Sequence, residues 1–285
     1  MRFPASTRFV LTLAFGASVA SMALAASTEN AALPGPGPTL AAHRAIYDLT
    51  LASSTGNKSP NTASGRIAFD FSGNPCEGYV QNFRQLTEVQ PPEGPTRVSD
   101  MRSTTYEDGD SHNFRFRVES KVDNSGVEDV DGRAAKSRDG ALSISLSRPR
   151  LTKLDLDQTV LFPTEHIRQI LIAARDGKKT LETKVFDGSD SGQKVYQTLT
   201  IIGGKLTGQA PEKAAQTPEL ADLPRWPVAI SYFDEDKKDS APAYVLSFDL
   251  YENGVSRALK LDYGDFVLAG EMKKLEFLPV TACKK

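Results

Sequence analysis

The chain has 285 residues, 39% hydrophobic and 25% charged, with 34 Lys+Arg against 36 Asp+Glu for a formal net charge of −2. That composition is globular rather than disordered. The balanced charge speaks against a nucleic-acid partner, which would ask for a basic excess on one face.

The first 25 residues read as a secretory signal peptide. Arg2 and Arg8 make a basic start, residues 9–20 (FVLTLAFGASVA) are an apolar run, and Ala23-Leu24-Ala25 is a small-x-small cleavage site. The run falls short of the ~20 residues that cross a bilayer, and no cysteine near the site offers a lipid anchor. The mature chain is expected to start near Ala26 and to be exported, about 260 residues long and so one large domain or two small ones. In an oxidising compartment its two cysteines, Cys76 and Cys283, read as a disulfide; two free thiols are the alternative. Closing a loop of about 200 residues contributes roughly 5 kcal/mol in the chain-entropy limit.

Residues 26–42, with Pro and Gly alternating at 34–38, are expected to be a flexible leader. From His43 the pattern has period two: His43, Ala45, Tyr47, Leu49 and Leu51 share a face, as in a half-buried strand. Ile67, Phe69 and Phe71 repeat it. Strands follow at 79–89, 97–106, 113–121, 126–130 and 142–146, separated by turn sequences such as Glu107-Asp108-Gly109-Asp110 and Asp123-Asn124-Ser125-Gly126. One segment changes period. Thr164 reads as an N-cap, Ile167, Ile170, Leu171 and Ala174 line a helical face, and Gly177 with Lys178 and Lys179 ends it. Strands resume at 180–186, 195–202, 227–233 and 244–251. Asn253-Gly254 is a type I′ hairpin signal before 255–263, and 266–271 and 274–278 close the chain. Residues 203–225 read as a long mobile loop. The sum over 43–285 is a single all-β domain, an antiparallel meander with one amphipathic helix. A sheet of a dozen strands or more curls or closes on itself.

Motifs for chemistry are missing. There is no G-x-S-x-G, phosphate loop or H-E-x-x-H, and Gly203-Gly204-Lys205 lacks the strand-to-helix setting and reads as a turn. His43, His112 and His166 have no metal-ligand spacing around them. The acidic runs Glu128-Asp129-Val130-Asp131-Gly132 and Asp234-Glu235-Asp236 lack a closing Glu and read as solvated turns rather than calcium loops. No nucleophile–base pair can be named. Trp226, Tyr232, Phe233, Tyr244, Phe248 and Tyr251 read as core, or, if the curled sheet is hollow, as the lining of an apolar groove.

Several segments resemble the EipB-type cell-envelope integrity proteins of the alphaproteobacterial periplasm. They are His43-Arg44-Ala45-Ile46-Tyr47-Asp48-Leu49, Cys76-Glu77-Gly78-Tyr79, Leu161-Phe162-Pro163-Thr164-Glu165-His166, Ile230-Ser231-Tyr232-Phe233, Glu252-Asn253-Gly254-Val255-Ser256 and Cys283. The resemblance spans nearly all of the mature chain in order. It implies an open, spiral-like β-barrel with the helix packed in it, a Cys76–Cys283 disulfide, and a periplasmic, non-enzymatic role in envelope integrity. It also implies a periplasmic protein partner of the tetratricopeptide-repeat type. It brings no catalytic residue, cofactor or metal. Its outline is similar to carriers that shield lipoprotein lipid chains, so the alternative is a carrier of a lipid or other apolar ligand on the concave face.

Overall fold

The structure, a computed structural model, describes residues 37–56, 59–123, 125–234, 241–280 and 283. The expected signal peptide (1–25) and the leader up to residue 36 lie outside them. So do Glu235 and Asp236.

One arm of the chain runs β1 (His43–Ser54), β2 (Thr62–Asn74), β3 (Gly78–Gln90), β4 (Arg97–Glu107), β5 (Asn113–Val122), β6 (Glu128–Lys136), β7 (Leu142–Arg148) and β8 (Thr152–Leu156). Helix α1 (Pro163–Arg175) follows. The second arm is β9 (Thr180–Val185), β10 (Tyr196–Ile202), the four-residue α2 (Pro218–Ala221), β11 (Arg225–Asp234), β12 (Tyr244–Tyr251), β13 (Ser256–Asp262) and β14 (Phe266–Phe277). All neighbours are antiparallel and the sheet order is β8-β7-β6-β5-β4-β3-β2-β1-β14-β13-β12-β11-β10-β9. The two arms therefore meet at a β1–β14 seam in the middle. The sheet is open, and its edges, β8 and β9, are joined through α1.

Period-two alternation decides which face is covered. His43, Ala45, Tyr47 and Leu49 are buried, and the β1–β2 register sets them beside Phe71, Phe69 and Ile67. Three apolar clusters cover this inner face. In the first, Ile170, Leu171 and Ala174 of α1 pack with Phe71 and Tyr79 on one arm and Trp226, Ile230 and Leu250 on the other. The second lies under the seam, around Tyr47, Leu49, Tyr251 and Met272. The third closes the far end of the first arm, where Phe114 stacks on Phe162 at 5.0 Å and Phe116 meets Phe186 edge-on at 5.5 Å. Gly188 adopts φ +75° there, and a Cβ on it would sit 2.4 Å from the Phe116 ring. β8 and β9 do not pair with each other; these side chains, with a backbone bridge in which the Leu161 amide donates to the Lys184 carbonyl of β9 at 2.8 Å, draw the two edges of the curl together.

The structure corrects several expectations. The end of the leader is packed: Leu40 and Ala42 are buried, and the Ala41 amide donates to the Asn253 carbonyl at 2.8 Å. Residues 152–156 form a strand, β8, whose five-residue alternation is too short to stand out. The run Glu128–Gly132 belongs to β6, and its carboxylates meet Arg117 and Arg148 across the strands. The two final strands are one strand with a bulge between Met272 and Lys274. The Asn253-Gly254 turn is not type I′, because Gly254 has positive φ and Asn253 does not. The Gly254 amide donates to Tyr251 and the Tyr251 amide to Val255, which makes a three-residue hairpin loop.

Residues 203–225 are the largest correction. They carry a short 3-10 turn and α2, and they bury Ala210, Ala215 and Leu220 under the seam. Glu212 anchors them: it accepts the Met272 amide at 3.1 Å and pairs with Arg257, which also pairs with Asp249. Arg225 donates to the Gly208 carbonyl at 2.7 Å and pairs with Asp249.

Candidate functional site

The best-connected polar region sits where the ends of β2, β3 and β4 meet α1. The β2–β3 turn is organised by Asn74, whose Oδ1 accepts the amides of Cys76 and Glu77 at 2.8 and 3.0 Å. Cys76 is bonded to Cys283, with 5.8 Å between Cα atoms and 207 residues between them in sequence. The Tyr106 hydroxyl donates to the Glu77 carbonyl at 3.0 Å. Register carries the network onward, since Tyr79 stands opposite Glu107. Glu107 is 1% exposed. It accepts the Thr164 amide at 2.7 Å, the Glu165 amide at 2.9 Å and the Ser111 hydroxyl at 2.7 Å.

These contacts make Glu107 the cap of α1. Thr164, the expected N-cap, lies inside the helix, and the cap position is Phe162, with no side-chain hydrogen bond of its own. A carboxylate from a distant strand instead satisfies two of the amides that a helix start leaves unpaired. Burial pushes the Glu107 pKa up, against the downward pull of its three donors. Arg168 completes the junction. It donates to Ser111 Oγ at 2.9 Å and to the Gly109 carbonyl at 3.3 Å, and lies over the Tyr79 ring at 5.6 Å.

The sequence pointed to Cys76 and Cys283 and missed Glu107, Ser111 and Arg168. Glu107 stood in an acidic turn sequence, and nothing local marks it as buried. The three histidines do not assemble. His43 is buried, with Nδ1 2.8 Å from the Ala41 carbonyl and Phe69 and Phe71 beside it; His112 is exposed. His166, in the first turn of α1, is buried, its Nε2 has no hydrogen-bond partner, and burial lowers its pKa to about 4. No group of three metal-ligating side chains occurs among the described residues. The Ser111 hydroxyl is committed to Glu107 and Arg168, so the junction is built to hold elements together.

The aromatic set divides by face. Trp226, Tyr232, Phe248 and Tyr251 are buried, and Tyr232 stacks on Tyr244 at 4.4 Å; Phe233 lies on the other face, half-buried. Two concavities of about 920 and 520 Å³ open instead on the outer face of β3–β8. Among the described residues no helix is long and apolar enough to cross a membrane.

Comparison with known proteins covers the same span. The profile of the EipB-like family matches residues 35–279. The cell envelope integrity protein EipB of Brucella abortus (strain 2308) is 38% identical over 283 residues, which is 98% of this chain and 100% of that protein. A crystal structure of a beta-barrel-like protein of a domain of unknown function, DUF1849, from Brucella abortus superposes with a TM-score of 0.78. It is 37% identical, over 85% of this chain and 99% of that one. With the open fourteen-stranded sheet, the inner helix and the Cys76–Cys283 bond in place, the chain belongs to the EipB-like family.

Proposed function

We propose that this protein is an exported, non-enzymatic scaffold that supports cell-envelope integrity through protein partners in the periplasm. The observation that carries the reading is the occupied inner face. Helix α1 and three apolar clusters cover it, so the surface left for work is the outside of the sheet. The name of the Brucella relative supplies the envelope role, and a tetratricopeptide-repeat protein is the partner class this reading carries. The test is a strain lacking the gene, challenged with detergent. Loss of resistance, restored by the exported chain but not by one lacking residues 1–25, is the expected result; unchanged resistance overturns the reading. A carrier of an apolar ligand would need an emptier inner face. Native mass spectrometry of the purified protein separates the two, because a stoichiometric lipid adduct replaces the scaffold with the carrier.

A further inference from the structure

The outer face of the sheet follows a rule and breaks it in one place. Most of its arginines meet a carboxylate: Arg44 with Asp70 at 2.5 Å, Arg66 with Asp48 at 2.7 Å, Arg84 with Asp100 at 2.8 Å, Arg97 with Asp123 at 3.2 Å. On β5 and β6, Arg115 and Arg133 stand directly opposite each other. Like charges in that relationship destabilise a sheet. Both are exposed, and no carboxylate among the described residues pairs with either.

The pair is the centre of a longer row. Val80, Tyr106, Arg115, Arg133, Ser145 and Lys153 are successive cross-strand partners from β3 to β8. At strand spacing the row runs about 24 Å. All six line the concavity of about 920 Å³. Lys153 also lacks a carboxylate partner among the described residues. The carboxylates nearby are already engaged: Asp131 with Arg148 at 2.9 Å and Ser147 at 2.9 Å, Asp108 with the Asn113 amide at 2.9 Å. Arg115 lies 5.8 Å over the Tyr106 ring, which orients it without neutralising it. At the rim Leu151 is 88% exposed. In a chain of net charge −2 this is a local cationic groove with an apolar end.

We propose that this groove is the docking site for an extended acidic segment of a protein partner. Its carboxylates meet the Arg115–Arg133 pair and Lys153, and an apolar side chain covers Leu151. The shape favours a peptide: the cations lie along a concave row across strands, which a flat bilayer surface does not enter. Guanidinium forks suit carboxylates and remove the like-charge cost on binding. The proposal rests on the scaffold reading and names the kind of partner.

The experiment titrates the mature, disulfide-closed protein with a fluorescein-labelled octapeptide alternating Glu and Ser with one central Leu. Saturable binding that weakens with salt is expected. Arg115→Ser with Arg133→Ser should lower affinity at least about tenfold, leave the melting temperature no lower than that of the parent, and contrast with Arg66→Ser, which changes nothing. Absence of saturable binding, or binding indifferent to the double variant, overturns the site. Equal, arginine-dependent binding of phosphatidylglycerol vesicles or inorganic phosphate overturns the peptide as occupant. In the deletion strain, full rescue of detergent resistance by the folded double variant overturns the groove and leaves the scaffold reading standing. A strain that never lost resistance overturns that reading instead.

Discussion

Glu107 and Thr164 are 57 residues apart, yet the carboxylate of the first accepts the backbone amide of the second at 2.7 Å inside the core. This bond, with its companion to Glu165, fixes α1 to the end of β4. Glu107→Ala leaves buried amides and the Ser111 hydroxyl without an acceptor, and should cost about 2–4 kcal/mol. Glu107→Gln keeps one oxygen and should cost less than the alanine variant. Urea unfolding at neutral pH, followed by far-UV circular dichroism, checks the order.

His166 makes stability depend on pH. Its folded pKa, about 4, lies below the ordinary value of 6.5, so the unfolded chain binds the proton more tightly. Where the unfolded state holds more protons, stability rises with pH. The contribution is therefore complete above about pH 6.5 and is lost as pH falls toward 4, up to about 3 kcal/mol. The difference in urea midpoint between pH 7 and pH 5 should shrink in His166→Gln; an identical difference would refute the assignment.

The anchor of residues 203–225 is a buried ion network, with Arg257 7% exposed and Glu212 beside it. Removing one member leaves an uncompensated buried charge, at about 3–5 kcal/mol. Glu212→Ala should release the segment to limited proteolysis between Gly203 and Arg225, while the parent resists. Equal resistance of both would show that the packing of Ala215 and Leu220 suffices.

For the disulfide, the chain-entropy limit for so long a loop is roughly 5 kcal/mol, an upper figure. Cys76→Ser should lower the melting temperature of the protein refolded under oxidising conditions. Equal melting temperatures for variant and parent would show that the bond adds nothing to folding.

The strands were legible because the sheet has one covered face. Each residue such as Tyr47 or Phe116 turned inward leaves its neighbours outward, and the period of two survives in the sequence. Helix α1 was legible for the same reason at its own period. The polar anchors were not. Glu212 is committed to Arg257 and Met272, 45 and 60 residues away, and Glu107 to an amide 57 residues away. A carboxylate destined for a buried partner looks locally like one destined for water. The Arg115–Arg133 pair was hidden likewise, since only register reveals that two arginines on different strands face each other.

The β1–β14 seam also governs assembly. His43 stands opposite Phe277, and Tyr47 donates to the carbonyl of Ser256, 209 residues later. In a chain delivered amino end first, the earliest strand keeps one bare edge until the latest arrives, and a bare edge is a template for wrong pairing. Truncation has an unusual effect for the same reason. Losing the last strand does not shorten the sheet from its rim; it parts it down the middle, into eight strands on one side and five on the other.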